Sequence, residues 1–266
     1  MPQIHSTAIV APGAGLADDV VIGPYCILGG RVELGAGVRL MSHVVVEGRT
    51  TIGEGTRIFP FASIGFEPQD LKYRGEDSSL IIGCNNTIRE YVTMNPGTEG
   101  GGLVTRIGDH GLFMVGVHVA HDCQIGDHVI MANNATLAGH VVVEDFALLG
   151  GLSAVHQFVR IGRHAMIGGM SGVERDVIPY GQVKGDRARL SGLNIIGMQR
   201  QGFSREDIQG LRSAYQFLFS AEGTFNDRVN EAADRFGGIR PVDDMIAFIR
   251  ADSSRAICQP KGPNGG

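Results

Sequence analysis

Apolar residues recur at every sixth position through most of this chain. The series runs Ile4, Val10, Leu16, Ile22, Leu28, Leu34, Leu40, Val46, Ile52, Ile58 and Ile64, and resumes in the same phase at Ile82, Ile88 and Met94. One residue out of phase, it continues from Ile107 through Phe113, Val119, Ile125, Met131, Leu137, Val143, Leu149, Val155, Ile161 and Ile167 to Val173. A period of six fits neither the 3.6 of an amphipathic helix nor the plain alternation of a half-buried strand. It fits a short strand plus a tight corner, so that three sides of six residues close a coil of 18. Coils stacked at about 4.8 Å bury a continuous column that no single coil buries alone. Glycine follows the inward residue at Ile22-Gly23, Ile52-Gly53, Ile82-Gly83, Ile125-Gly126 and Ile161-Gly162, where a corner is expected to need backbone freedom. The pattern predicts a mainly β fold, a parallel β-helix.

Two segments break the beat. Residues 65–81 put Asp70 and Glu76 where core residues would fall, and residues 95–106 are glycine-rich. Insertions in a solenoid leave the stack as loops, and these two read either as plain surface excursions or as loops that fold over a substrate. Beyond Pro179 the beat stops. Ser204 with Glu206 and Asp207 reads as a helix start ahead of Ile208, Leu211, Tyr215 and Leu218; a second helix is expected from about Thr224 and a third from about Pro241 to Arg250. The chain thus divides into a β-helix over 1–186 and a small α-helical C-terminal domain over 187–266, with fraying expected from Ser253.

At 266 residues and 43% hydrophobic content the chain can bury a large core. A net charge of −5 excludes a whole-chain polycation, and no nucleic-acid partner is expected. No apolar run approaches the roughly 18 residues that span a bilayer, so no integral membrane segment is expected. Four cysteines without C-x-x-C spacing, and a start MPQIHSTAIV unlike a leader, point to reduced thiols in the cytoplasm. Locally the balance differs: from Phe158 to Ser213 there are nine Lys and Arg against five Asp and Glu, either a solvated basic face or a surface suited to an acidic partner.

Residues 18 apart stack, so Val119, Leu137 and Val155 superpose and the residues after them share one corner. That corner collects His121 and Asp122, then Gly139 and His140, then His156 and Gln157, with His118 just before it. Imidazole suits general acid/base work near neutral pH, whereas a structural column needs only Asn, Ser or Thr. The rival readings are a zinc-dependent hydratase, since histidine triads hold zinc in the hexapeptide-repeat carbonic anhydrases, and a non-catalytic scaffold.

The stretch VGVHVAHDCQIGDHVIMANNATLAGHVVVEDFALLGGLSAVHQF, with ASIG and QDLKY in the first loop and GFSRE before the helices, resembles the UDP-N-acetylglucosamine O-acyltransferases of lipid A biosynthesis. These belong to the hexapeptide-repeat transferases, and the resemblance runs from the first coil to at least residue 215. It implies a left-handed β-helix, an exception to the right-handed crossover rule. It implies that His121 is a general base removing the proton of the sugar 3-hydroxyl, which attacks the thioester of an (R)-3-hydroxyacyl chain on acyl carrier protein. Asp122 would orient the imidazole and the N–H of Gly139 would meet the oxyanion. Substrate contacts would come from Asp70, Lys72, His118, His140, His156 and Gln157, and nucleotide contacts from Asn194 and Arg200. Gly169 would stand at the end of the acyl groove, leaving room for a long chain that Met166 and Met170 could shorten. No metal, no cofactor and no covalent acyl-enzyme is implied, Cys123 being merely packed nearby. The family pattern also implies a homotrimer with sites between subunits. An N-acyltransferase of the same pathway would carry a uridine-binding domain ahead of the repeat, which here starts at Ile4. Departures from the pattern are Gln199 and Gln201 beside Arg200, and Pro96 in the second loop.

Overall fold

The computed structural model describes residues 1–220 and 223–261. Short strands, mostly of two residues, alternate with corners and stack into three sheets, parallel except for the last strand of the first. The first face has eleven strands, from Gln3–Ile4 to Arg189–Leu193; the second has nine, from Ile9–Val10 to Gly172–Val173; the third has eight, from Gly15–Leu16 to Arg160–Ile161. Register confirms the coil length where no loop intervenes: Ile4 pairs with Ile22, and Val119 with Leu137. Every member of the six-residue series from Ile22 to Val173 is buried. Ile4 is 45% exposed because no coil lies beneath it.

The corners work differently from expectation. Gly53 is not left-handed; a Cβ there would lie 2.6 Å from the carbonyl carbon of Gly83 in the next coil, so glycine is needed for close stacking. The left-handed position falls three residues after the core residue, and Asp122 (φ 61) and His140 (φ 62) are among the side chains that accept it. Aromatic and histidine rings at such corners stack, as in the ladder His110, His128, Phe146, His164 and Tyr180.

Both insertions leave the same edge, between the second and third faces: one connects Ser63–Ile64 to Ser79–Ile82, the other Thr93–Met94 to Val104–Ile107. The expected boundary at 186 does not stop the sheet. Gly181–Lys184 pairs antiparallel with Arg189–Leu193 on the first face. Four helices follow: α1 (Ile195–Arg200), α2 (Arg205–Leu218), α3 (Phe225–Phe236) and α4 (Arg240–Arg250). Helix α2 begins with the expected cap, Ser204 and Asp207 forming a reciprocal capping box, and buries Ile208, Leu211, Ala214 and Leu218. Helix α1 escaped the sequence reading, its six residues including Gly197 being too short for a periodic signal. No helix among the described residues is long and apolar enough to cross a membrane.

The tail corrects a further expectation. Instead of fraying from Ser253, the chain docks on the end of the prism, where Ile257 bridges to Asp176 and Pro260 to Leu190. Cys258 is buried there. The last residues of the expected frayed tail, 262–266, lie outside the described residues.

Candidate active site

The edge that carries both loops also carries the histidine corner. Val119 points into the core, and the chain turns directly after it, exposing one side of His121 while keeping the residue 94% buried, with Asp122 beside it at 4% exposure. Nδ1 of His121 lies 2.8 Å from Oδ2 of Asp122. That carboxylate is held on both oxygens by Thr98 of the second loop. Its backbone N–H donates to Oδ1 at 2.8 Å and its hydroxyl to Oδ2 at 2.6 Å. Thr105 accepts the Asp122 N–H at 2.7 Å. A carboxylate so fixed accepts the hydrogen bond of Nδ1–H and so favours the tautomer whose outward Nε2 is unprotonated, the arrangement a base requires.

The first loop supplies Asp70, whose Oδ2 stands 4.0 Å from Nε2 of His121. Lys72 donates its backbone N–H to Asp70 at 3.0 Å, and its ammonium charge is felt by His140. The loops brace each other: Asn95 donates to the carbonyls of Phe66 and Glu67 at 3.0 and 3.3 Å. His140 meets His121 edge-on at 5.0 Å and stacks on Phe158 at 4.4 Å. Burial lowers the pKa of His140 below the usual imidazole range despite the nearby Asp122 charge. Burial likewise lowers that of His118, whose Nδ1 is 2.7 Å from the Thr93 hydroxyl. Both rings are thereby biased toward the neutral form. Cys123 is buried, its thiol pushed up to about 12 by desolvation, so it is not a thiolate near neutral pH.

Gly139 is the one position of this corner where only glycine fits. A Cβ there would lie 2.6 Å from Nε2 of His121. Its N–H meets no acceptor among the described residues. The same corner position holds Pro12, Pro24 and Pro60 in other coils, residues with no N–H to satisfy. At Gly139 that spare donor is buried beside the imidazole.

The other expected residues do not contact His121. His156 and Gln157 share the edge, but the contacts they show are to Arg255. Gly169 sits on the edge between the first and second faces, next to exposed Met170. Asn194 caps α1, accepting from the Gly197 N–H at 3.1 Å and donating to the His164 carbonyl at 2.9 Å, on the third edge. Arg200 is exposed at the end of α1. Within one chain, therefore, the residues expected to hold the nucleotide and measure the acyl chain do not meet His121. Thr98, Thr105 and Arg255 were missed by sequence reading. Only the glycine-rich loop hinted at the first.

His121, Asp122 and His140 offer ligand atoms within 4.8 Å of one another, a cluster with a carboxylate in place of one member of the histidine triad weighed from sequence. Oδ2 of Asp122 already takes hydrogen bonds from His121 and Thr98, and Oδ1 one from Thr98. A cation would compete with all three for the same lone pairs, so the donor set suits a hydrogen-bonded base better than a metal.

A prism of six-residue turns stacked into three sheets is the architecture of the hexapeptide-repeat acyltransferases. A family model described as UDP N-acetylglucosamine O-acyltransferase, domain 2, matches residues 176–258. The acyl-[acyl-carrier-protein]--UDP-N-acetylglucosamine O-acyltransferase of Rickettsia canadensis is 54% identical over 256 residues, covering 96% of this chain and 97% of that one. The enzyme of the same name from Caulobacter vibrioides is 54% identical over 259 residues, covering 97% and 98%. The structure of LpxA from Acinetobacter baumannii superposes with a TM-score of 0.90 at 45% identity, covering 96% of this chain and 99% of that one. The chain belongs to the UDP-N-acetylglucosamine O-acyltransferase family, and its fold is that family's left-handed β-helix followed by a helical C-terminal domain.

Proposed function

We propose that this protein transfers an (R)-3-hydroxyacyl group from acyl carrier protein to the 3-hydroxyl of UDP-N-acetylglucosamine, the first step of lipid A biosynthesis, in the cytoplasm. The arrangement of His121, Asp122 and Gly139 carries the reading. Nε2 of His121 takes the proton of the sugar hydroxyl, and the imidazolium so formed is stabilised by Asp122, itself fixed by Thr98. The sugar oxygen attacks the thioester carbonyl, and the spare N–H of Gly139 receives the developing oxyanion, a contribution of roughly 3 kcal/mol at comparable sites. Collapse expels the pantetheine thiolate, which His121 reprotonates. No acyl-enzyme is needed, and the buried Cys123 thiol supports that economy.

Asp70, Lys72, His118, His140, His156 and Gln157 line the same edge and are assigned to substrate. Gly169, Asn194 and Arg200 lie on or against other edges, so we place the complete site between subunits of a homotrimer. The glycine at 169 leaves the acyl groove open for a long chain. Exposed Arg175, Lys184, Arg187, Arg189, Arg200, Arg205 and Arg212 outnumber the exposed Glu174, Asp186 and Glu206 in the same stretch, a balance suited to the acidic carrier protein, whereas Arg160 and Arg163 are engaged by Asp176, Glu144 and Asp244.

The test incubates the protein with 3-hydroxyacyl carrier proteins of several lengths and UDP-N-acetylglucosamine, comparing wild type with His121→Ala and assaying bound zinc. Acylated sugar nucleotide, lost by about two orders of magnitude or more in the variant, is expected. No product at any chain length, or stoichiometric zinc lost on substitution, would overturn the reading.

A further inference from the structure

We infer that Arg255, carried by the C-terminal segment, is a positioning residue for acyl transfer: it holds His156 as the neutral tautomer that donates from Nε2. The inference rests on the reading that His156 contacts substrate.

Nη2 of Arg255 lies 2.8 Å from Nδ1 of His156, and its Nε donates to the Gln157 carbonyl at 3.0 Å. A guanidinium has donors and no acceptor, so Nδ1 must accept and the ring proton must sit on Nε2. The Gln157 carbonyl is also 3.4 Å from Nδ1, a geometry that would suit a proton there. The shorter contact decides: that carbonyl already receives the Arg255 Nε–H, and a proton on Nδ1 would face the guanidinium. Nε2 of His156 has no partner among the described residues, and the side chain is exposed. His156 stands on the catalytic edge two coils along from His121, roughly 10 Å by strand spacing. A donor fixed there meets an acceptor oxygen of a substrate stretched along the edge.

Arg255 is not a loose tail residue. Its N–H donates to the Ser253 hydroxyl at 3.1 Å, and that hydroxyl donates to the fully buried Asp176 carboxylate at 2.6 Å. Asp176 also receives Nε of Arg160 at 2.7 Å, and its backbone is paired on both sides, through Ala256 at 3.0 Å and Cys258 at 2.8 Å. The segment is therefore built into the prism, and the guanidinium is delivered to the edge by a buried anchor.

The experiment uses the full-length protein labelled with 15N-histidine, and follows the His156 ring by two-bond 1H–15N correlation in wild type, Arg255→Met and Arg255→Lys. The wild-type ring is expected with its proton on Nε2 and the Arg255→Met ring as a tautomer mixture. In steady-state assays with acyl carrier protein and UDP-N-acetylglucosamine, Arg255→Met is expected to raise KM for one substrate about tenfold, with kcat within about twofold. Arg255→Lys, which keeps one donor, should recover part of that loss. The double variant Arg255→Met/His156→Ala should be no worse than His156→Ala. An unchanged tautomer in Arg255→Met, or additive losses in the double variant, overturns the inference. An inactive wild type would count against the proposed reaction instead, while the spectra would still decide whether Arg255 sets the ring.

Discussion

Gly139 and His121 are locked together across one coil: the space a methyl on Gly139 would need is taken by the His121 ring, 2.6 Å from the ideal Cβ position to Nε2. Gly139→Ala is therefore expected to fold, since the change is confined to one edge, but to push the imidazole off its position. Displacement on the order of 1 Å at a reacting group costs about two orders of magnitude, which should appear in kcat. Wild-type kcat in a folded Gly139→Ala enzyme would show that the ring has room elsewhere.

Thr98 should matter without touching substrate. Thr98→Val removes the hydroxyl donor to Oδ2 of Asp122 while keeping shape, and a roughly tenfold fall in kcat with little change in KM is expected. Thr98→Ser should restore activity. Equal activity in Thr98→Val would mean that the backbone N–H and His121 suffice to hold the carboxylate.

Cys123 provides a chemical test of the direct-transfer mechanism. With its thiol pushed up to about 12 and its Sγ donating to the Ala138 carbonyl at 3.3 Å, it should resist alkylation at about pH 8 until the protein unfolds. Cys123→Ala should retain activity within about twofold. An acyl group found on Cys123 by mass spectrometry after a quench would replace direct transfer with a two-step route.

Stability should fall with acid through buried histidines. Burial, reinforced by Arg163, lowers the pKa of His164, which is stacked between Phe146 and Tyr180 at 4.8 and 5.3 Å. Unfolded histidine takes up a proton near pH 6.5, the folded residue only at lower pH. Between those two values the unfolded chain binds more protons, so stability drops as pH falls through that window. His118 and His140 act with the same sign. His164→Phe keeps the stack and removes the proton uptake, so its Tm should fall less than that of wild type between about pH 7.5 and pH 5. An equal fall would exclude His164 as a contributor.

The scaffold was legible because one inward position, repeated from Ile22 to Val173, meets the same environment in every coil. His121, Asp122 and Gly139 could be grouped from spacing for the same reason. What spacing could not show depends on chain segments that leave the lattice. The contact of Thr98 with Asp122 exists only because the second loop folds back over its own edge. Arg255 reaches His156 from 99 positions away, through a tail whose composition reads as a loose end. Asn194 carries the family resemblance for a nucleotide contact, yet its side chain is already engaged in capping α1 and holding His164, a role that depends on the missed hairpin and helix. The glycines after core residues were read correctly as corner residues but for the wrong reason, since close stacking and not a left-handed φ demands them.

The docked tail and hairpin also decide what this molecule can assemble into. A solenoid of open coils is a template for indefinite end-to-end growth, each terminal strand inviting another in parallel. Among the described residues, the far end of each face is covered by a non-repeat segment. The first face is finished by an antiparallel strand, Arg189–Leu193; the second by the hairpin turn, which bonds both ways to Gly172 through Gly185 at 3.1 Å and Ala188 at 2.8 Å; the third by the tail across Asp176. At the near end Ile4 and Ile9 remain 45% and 62% exposed. Parallel strand addition at the covered far end, the step a head-to-tail filament would need, is obstructed.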